Sequence, residues 1–142
     1  MRSDPERAQR LFLLAMGALV AFSAGGSQVG LAIGPLLPLS DDLGLPLVYD
    51  VHHHRCLPDG LSVEEATRLA LATWGSREPL FHLSSPREGW KSSDPRPHHA
   101  YIDIKDFPAC WRKLDITVEV EAKAKETALS VLVYVLDAVL KL

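Results

Sequence analysis

From residue 45 onward the chain alternates short apolar runs with longer stretches of mixed pattern. Leu45 to Tyr49 is an apolar run with the length and composition of a buried strand, and it ends in Asp50. Pro58-Asp59-Gly60 is a loop signal. Ser62 then opens an S-x-x-E capping box with Glu65. Val63, Ala66, Leu69, Ala70 and Trp74 recur at helical spacing, with Gly75 just past them, which predicts a helix from about Ser62 to Trp74. Pro79 to Leu83 reads as a short strand with His82 near its carboxyl end. Residues 84–100 form a polar loop with three prolines, long enough to suspect function over packing. A short helical or turn-rich connection follows, interrupted at Pro108. Ile116, Val118 and Val120 alternate with Thr117, Glu119 and Glu121, a strand signature. The remainder reads as one amphipathic to strongly apolar helix, with Leu129, Leu132, Val133, Leu136, Val139 and Leu140 on a broad face.

The order strand, helix, strand, loop, strand, helix predicts an α/β fold with parallel strands and crossovers. The amino-terminal part differs in character. Residues 1–10 are charged without an apolar stripe, and residues 11–22 are apolar apart from Gly17. Small residues, Ser23 to Ser27, come next. This is the outline of a signal peptide. The apolar run is short of the ~20 residues a membrane span takes, and Asp4 and Glu6 weaken an export reading. A buried helix is one alternative. A segment foreign to the domain behind it, through a shifted frame or a misplaced start, is another. The division is therefore 1–35, an apolar amino-terminal helix or non-homologous segment, and 36–142, the α/β part.

At 142 residues the chain suffices for one domain with a core. It falls short of the roughly 200 residues or more of a complete (β/α)₈ barrel. The net charge of -3 and pI near 6.0 give no global basic footprint for nucleic acid. A DNA partner would have to be held by a local patch or a metal. Cys56 and Cys110 form no C-x-x-C motif, which argues against a zinc ribbon or a disulfide scaffold. A reducing cytoplasmic setting is the default.

The candidate chemistry sits where strands end. In Leu45–Cys56, LPLVYDVHHHRC, an acid and three consecutive histidines follow the apolar run. Carboxyl ends of parallel strands are where ligands and metals collect, so a metal site is the leading hypothesis and a polar, solvated loop the bland one. All six histidines fall between residues 52 and 99. The second strand ends in His82, the third in Glu119 and Glu121, and the long loop in His98 and His99.

In order, LPLVYDVHHHRC, FHLSSPREG, H-x-x-YID and VEVEAKAKE resemble the carboxyl-terminal part of the UV damage endonuclease family, over roughly Leu36 to Leu129. The resemblance implies about three βα units of a (β/α)₈ TIM barrel. It also implies a cluster of divalent ions at the barrel top, usually manganese, with zinc or magnesium as alternatives. The implied activity is nicking of damaged double-stranded DNA on the 5′ side of ultraviolet photoproducts. No obligate protein partner and no membrane are implied.

Carried over residue by residue, Asp50 and His53 match the family's D-x-x-H ligand pair, and His82 and His98 match ligand histidines. Glu121 matches the carboxylate of the E-A-K signature. His99 is a close alternative to His98, and His52 and His54 would orient ligands or contact phosphate. Ser84, Ser85 and Arg87 are candidate phosphate contacts by position and chemistry only, with a capped, solvated loop as an equal alternative. Carboxylate plus imidazole suits manganese or zinc in phosphodiester cleavage.

Three departures stand out. Leu80 occupies a position where the family often has a metal-bridging lysine. The amino-terminal half of the barrel, with further ligands, has no match in residues 1–35. Residues 11–34 lack the family's pattern where strand five and its helix would stand. A truncated or frameshifted reading of a longer gene is therefore expected, with activity of the chain alone in question. A three-strand piece would leave a sheet edge and helix faces uncovered, which predicts self-association. The alternatives are a non-catalytic partial barrel with residual metal binding, or another metal-dependent TIM-barrel enzyme such as a sugar isomerase.

Overall fold

The computed structural model describes residues 33–140. The readings for residues 1–32 lie outside that range. Helix α1 covers Ile33–Leu43, crossing the expected boundary at residue 35. Then follow β1 (Tyr49–Asp50), α2 (Val51–Cys56), α3 (Val63–Ala72) and β2 (Leu80–Leu83). Two 3₁₀ turns, Ile104–Asp106 and Ala109–Lys113, lead to β3 (Thr117–Val120) and α4 (Glu126–Leu140).

The described strands form one parallel sheet in the order β1-β2-β3. Tyr49 pairs with Phe81 and Asp50 with His82, and β2 pairs with β3 from Leu80–Thr117 to Leu83–Val120. Phe81 and Leu83 therefore face one side while Leu80 and His82 face the other. The first side is packed. Tyr49, Val51, Ala66, Ala70, Phe81, Leu83, Trp111 and Leu132 make the core. Trp111 is its centre: its ring lies 5.2 Å from Phe81, 5.9 Å from Tyr49 and 6.0 Å from Phe107. Its indole N–H donates to Thr67 Oγ1 at 2.9 Å, so the buried polar edge is satisfied.

Helix α3 follows the expected logic closely. The Ser62 hydroxyl accepts from the Glu65 N–H, and the Glu65 carboxylate accepts from the Ser62 N–H at 2.9 Å, closing the capping box. Ala66 and Ala70 enter the core, and Gly75 supplies the positive φ of +60° beyond the helix end.

Three local readings need correction. The buried strand expected over Leu45–Tyr49 shrinks to Tyr49–Asp50, and Leu45 and Val48 are exposed. Pro46 has no N–H for a ladder. Leu47 spends its backbone on α3 instead: its N–H donates to Thr73 Oγ1 at 2.8 Å and its carbonyl accepts from Trp74 Nε1 at 2.9 Å. Second, the three histidines lie on helix α2, so the alternative of a solvated loop falls away. Successive helical residues turn about 100° apart, so three neighbours point three ways and do not share one ion. Third, α4 turns Ala128 and Leu132 inward, while Leu129 and Val133 of the expected buried face are exposed. The first 3₁₀ turn packs against α4. The small Ala128 lets the helix sit close, and no described element covers the opposite face of Leu129, Val133 and Tyr134.

Candidate metal centre

Each strand delivers one donor at its carboxyl end. Asp50 closes β1 and caps α2: its Oδ1 accepts from the His53 N–H at 3.0 Å, and its Oδ2 lies 2.7 Å from His53 Nδ1. The register sets His82 beside it on β2. Glu121 follows β3, held by its N–H donating to Leu83 O at 2.9 Å. Asp50, His82 and Glu121 thus offer ligand atoms within 4.8 Å of one another.

The imidazoles gather around Glu121. His82 Nδ1 lies 3.4 Å from Glu121 Oε1, and His98 Nδ1 lies 3.6 Å from Glu121 Oε2. On its other side His82 Nε2 lies 3.4 Å from Glu119 Oε2. The His98 ring centroid is 5.6 Å from that of His53 and 5.0 Å from that of His52. His98 is fixed by backbone. It bridges Pro86 antiparallel, and the next residue donates its N–H to Ser85 O at 2.8 Å. Lys123 and Ala124 then donate to the carbonyls of His99 and Ala100 at 3.0 and 2.9 Å, tying the loop to the end of β3.

Charge coupling follows from this packing. Burial raises the Asp50 pKa, but the hydrogen bonds and charge of His53 outweigh it and the net shift is downward. Asp50 raises His53 in turn, against burial. Glu121 raises His82 against burial, and His82 lowers Glu121. Burial lowers His98 and His52. The His82–Glu121 pair has a defined pH signature. A raised imidazole stabilises fully below its ordinary 6.5 and loses this as pH rises through its folded value. A lowered carboxylate stabilises fully above its ordinary 4.5 and loses this as pH falls through its folded value. The pair is therefore worth most between pH 4.5 and 6.5. In metal-free protein, thermal midpoints of the parent and a His82→Gln variant should differ most in that window and converge above it. A gap that widens toward pH 9 would contradict this coupling.

The donor set fits a divalent cation. It is oxygen and imidazole nitrogen, without thiolate. In addition, the buried Nε2 of His98 has no hydrogen-bond partner among the described residues. An unpaired buried polar atom is costly, although it is Nδ1 of His98, not Nε2, that faces Glu121, and neither His98 nor His53 belongs to the convergent group of Asp50, His82 and Glu121.

The other candidates are spent in other ways. His52 is fully buried, its Nδ1 3.3 Å from Ser84 O and its Nε2 3.2 Å from Arg96 O, so it pins the long loop to β2. His54 points into the core: the Tyr49 hydroxyl donates to its Nδ1 at 2.8 Å, and its Nε2 lies 3.1 Å from Asp59 Oδ1. His99 is exposed and accepts the Tyr101 N–H on Nδ1 at 3.0 Å. Ser84 is buried. Ser85 donates its hydroxyl to Asp106 Oδ2 at 2.6 Å, and the exposed Arg87 pairs with Glu88 at 3.0 Å.

Two residues escape the sequence reading. Asp106 is a buried carboxylate that also accepts the Trp90 indole N–H at 2.7 Å. Trp90 in turn sits 5.2 Å from the His52 ring and 5.7 Å from the Arg55 guanidinium. In sequence Asp106 is one of two acids in a D-I-K-D turn, and nothing local marks it as the buried one.

A parallel α/β sheet with a carboxylate–imidazole cluster at its strand ends makes this an α/β protein with a group of side chains capable of coordinating a metal. The sequence is more specific. The family model of UV-endonuclease UvdE matches residues 27–141, and the chain belongs to this family. It is 42% identical over 103 residues to the UV DNA damage endonuclease of Deinococcus radiodurans, covering 68% of this chain and 32% of that one. It is 38% identical over 106 residues to the Halalkalibacterium halodurans UV DNA damage endonuclease, with the same coverage. The crystal structure of SacUVDE superposes with a TM-score of 0.64 at 27% identity, covering 78% of this chain and 37% of that one. The chain spans about a third of the length of these curated relatives. No helix among the described residues is long and apolar enough to cross a membrane.

Proposed function

We propose that this chain is a carboxyl-terminal portion, about three βα units, of a (β/α)₈ UV damage endonuclease acting on damaged double-stranded DNA in the cytoplasm. The observation that carries the reading is the convergence of Asp50, His82 and Glu121 at three adjacent strand ends. His53 and His98 complete the proposed ligand set. Divalent ions, with manganese preferred over zinc or magnesium, would supply charge neutralisation and a water of lowered pKa for phosphodiester hydrolysis. The chain's own contribution is orientation. Asp50 fixes the His53 ring, Glu121 fixes His82, and His52 holds the loop that carries His98. Leu80 shares the sheet face of His82 and offers no bridging group, so the metal arrangement rests on these five side chains. Of the proposed phosphate contacts, Arg87 suits the role best, being exposed.

The test is nicking of ultraviolet-irradiated duplex in manganese, parent against His53→Ala. The expected result is strand breaks 5′ to photoproducts above the variant's background; equal breakage would sink intrinsic activity. A second reading is favoured by the uncovered apolar residues of α4: a non-catalytic partial barrel that retains metal. It predicts stoichiometric manganese binding without nicking.

A further inference from the structure

A second concave site is lined by none of the metal-cluster residues. It is a cleft of about 340 Å³ between the end of α2, the start of α3 and the two 3₁₀ turns. Arg55, Lys105 and Arg112 line it, against a single acid, Glu64. Phe107 and Pro108 form its apolar floor. In a chain of net charge -3 this is a local reversal of sign.

Arg55 is held in place. Its Nη1 donates to the Asp106 carbonyl at 2.8 Å, and its guanidinium lies over the Trp90 ring at 5.7 Å. Its Nη1 also lies 3.9 Å from Asp106 Oδ1, and the N–H groups not used by Asp106 remain for a ligand. Lys105 and Arg112 are exposed, and neither side chain forms an ion pair among the described residues. Three cations around one cavity, one of them rigid and two uncommitted, form a receptor for an anion. Part of the lining follows the carboxyl ends of strands. Arg55 and Glu64 sit on segments that follow the carboxyl end of β1. Lys105 sits on the turn that Asp106 ties to Ser85, just past β2.

We infer that Arg55, Lys105 and Arg112 form a phosphate-binding cleft, which takes a backbone phosphate of duplex DNA beside the metal cluster. The DNA part of this inference rests on the endonuclease reading; the phosphate chemistry does not. The cleft supplies the local basic patch that the overall charge lacks.

Duplex binding is measured by fluorescence anisotropy in EDTA over a range of salt. Arg112→Ala is compared with Arg77→Ala, which also removes one cation but lies near the amino end of β2. Removing one cation that neutralises a phosphate flattens the dependence of log affinity on log salt by about 0.9. That change is expected for Arg112→Ala, with about twice as much for Lys105→Ala/Arg112→Ala, and none for Arg77→Ala. Arg112→Lys should restore most of the slope. Separately, inorganic phosphate is titrated while the amides of residues 104–112 are followed by NMR. Shifts confined to that segment support the cleft even if duplex does not bind, in which case the DNA reading falls alone. Duplex binding with equal slopes for Arg112→Ala and Arg77→Ala overturns the cleft and leaves the endonuclease reading standing. No response to duplex or to phosphate overturns both.

Discussion

Glu121→Gln is expected to weaken manganese binding by more than about 100-fold, the upper end of what loss of even an outer partner costs a metal site. Glutamine keeps the shape of the side chain and removes its charge. Glu121 is the residue both half-buried imidazoles share, His82 through Oε1 and His98 through Oε2. Its carboxylate also raises His82, so the variant loses a donor and releases the orientation of two others. Glu119→Gln provides the contrast. Glu119 contacts His82 at 3.4 Å but is largely exposed and stands outside the convergent group. Isothermal titration should find Glu119→Gln near the parent and Glu121→Gln far below it. Equal affinities in the two variants would remove Glu121 from the site.

The second large effect concerns Asp106. Asp106→Ala is expected to destabilise the fold by about 3–5 kcal/mol, the cost of removing one partner from a buried charged network. The Ser85 hydroxyl and the Trp90 indole N–H lose their acceptor, and Arg55 loses a carboxylate 3.9 Å from its Nη1. Small domains hold about 5–15 kcal/mol in total, so the variant would sit near the edge of folding. Asp106→Asn keeps the volume and one acceptor oxygen and should cost less. Urea unfolding reads both variants. A loss below about 1 kcal/mol, that of an ordinary exposed substitution, would mean that Asp106 is not the organising group.

The parts of the fold written in local chemistry are legible in the sequence. The Ser62–Glu65 box and the spacing of Ala66 and Ala70 define α3 without tertiary information. The alternation from Thr117 to Val120 defines β3. The same strand ends point to Asp50, His82 and Glu121, which the structure brings together. The features that escape a sequence reading depend on partners distant in the chain. The apolar run before Asp50 does not become a full strand because Thr73 and Trp74 claim the backbone of Leu47. The histidine run resembles a loop as long as Asp50 is seen only as a ligand, although an acid accepting its i+3 amide also starts a helix. On α4 the larger residues suggest the buried face, but the small Ala128 is buried along with Leu132 while Leu129 and Val133 are not. Asp106 is hidden because its burial comes from Ser85, Trp90 and Arg55, on three separate segments.

The strand pairing also governs how the chain reaches this state. Tyr49 meets Phe81 and Leu80 meets Thr117, both in parallel and both across long crossovers. No hairpin among the described strands gives an early, local pair on which the next could form. Chain-closure entropy must therefore be met before the first ladder bond returns anything, which puts the molecule in the slow, non-local regime of folding. Doubling the length of a flexible crossover adds only about 0.6 kcal/mol to closure. Loop 84–100 can thus carry His98, three prolines and the Trp90 clamp at little cost in stability.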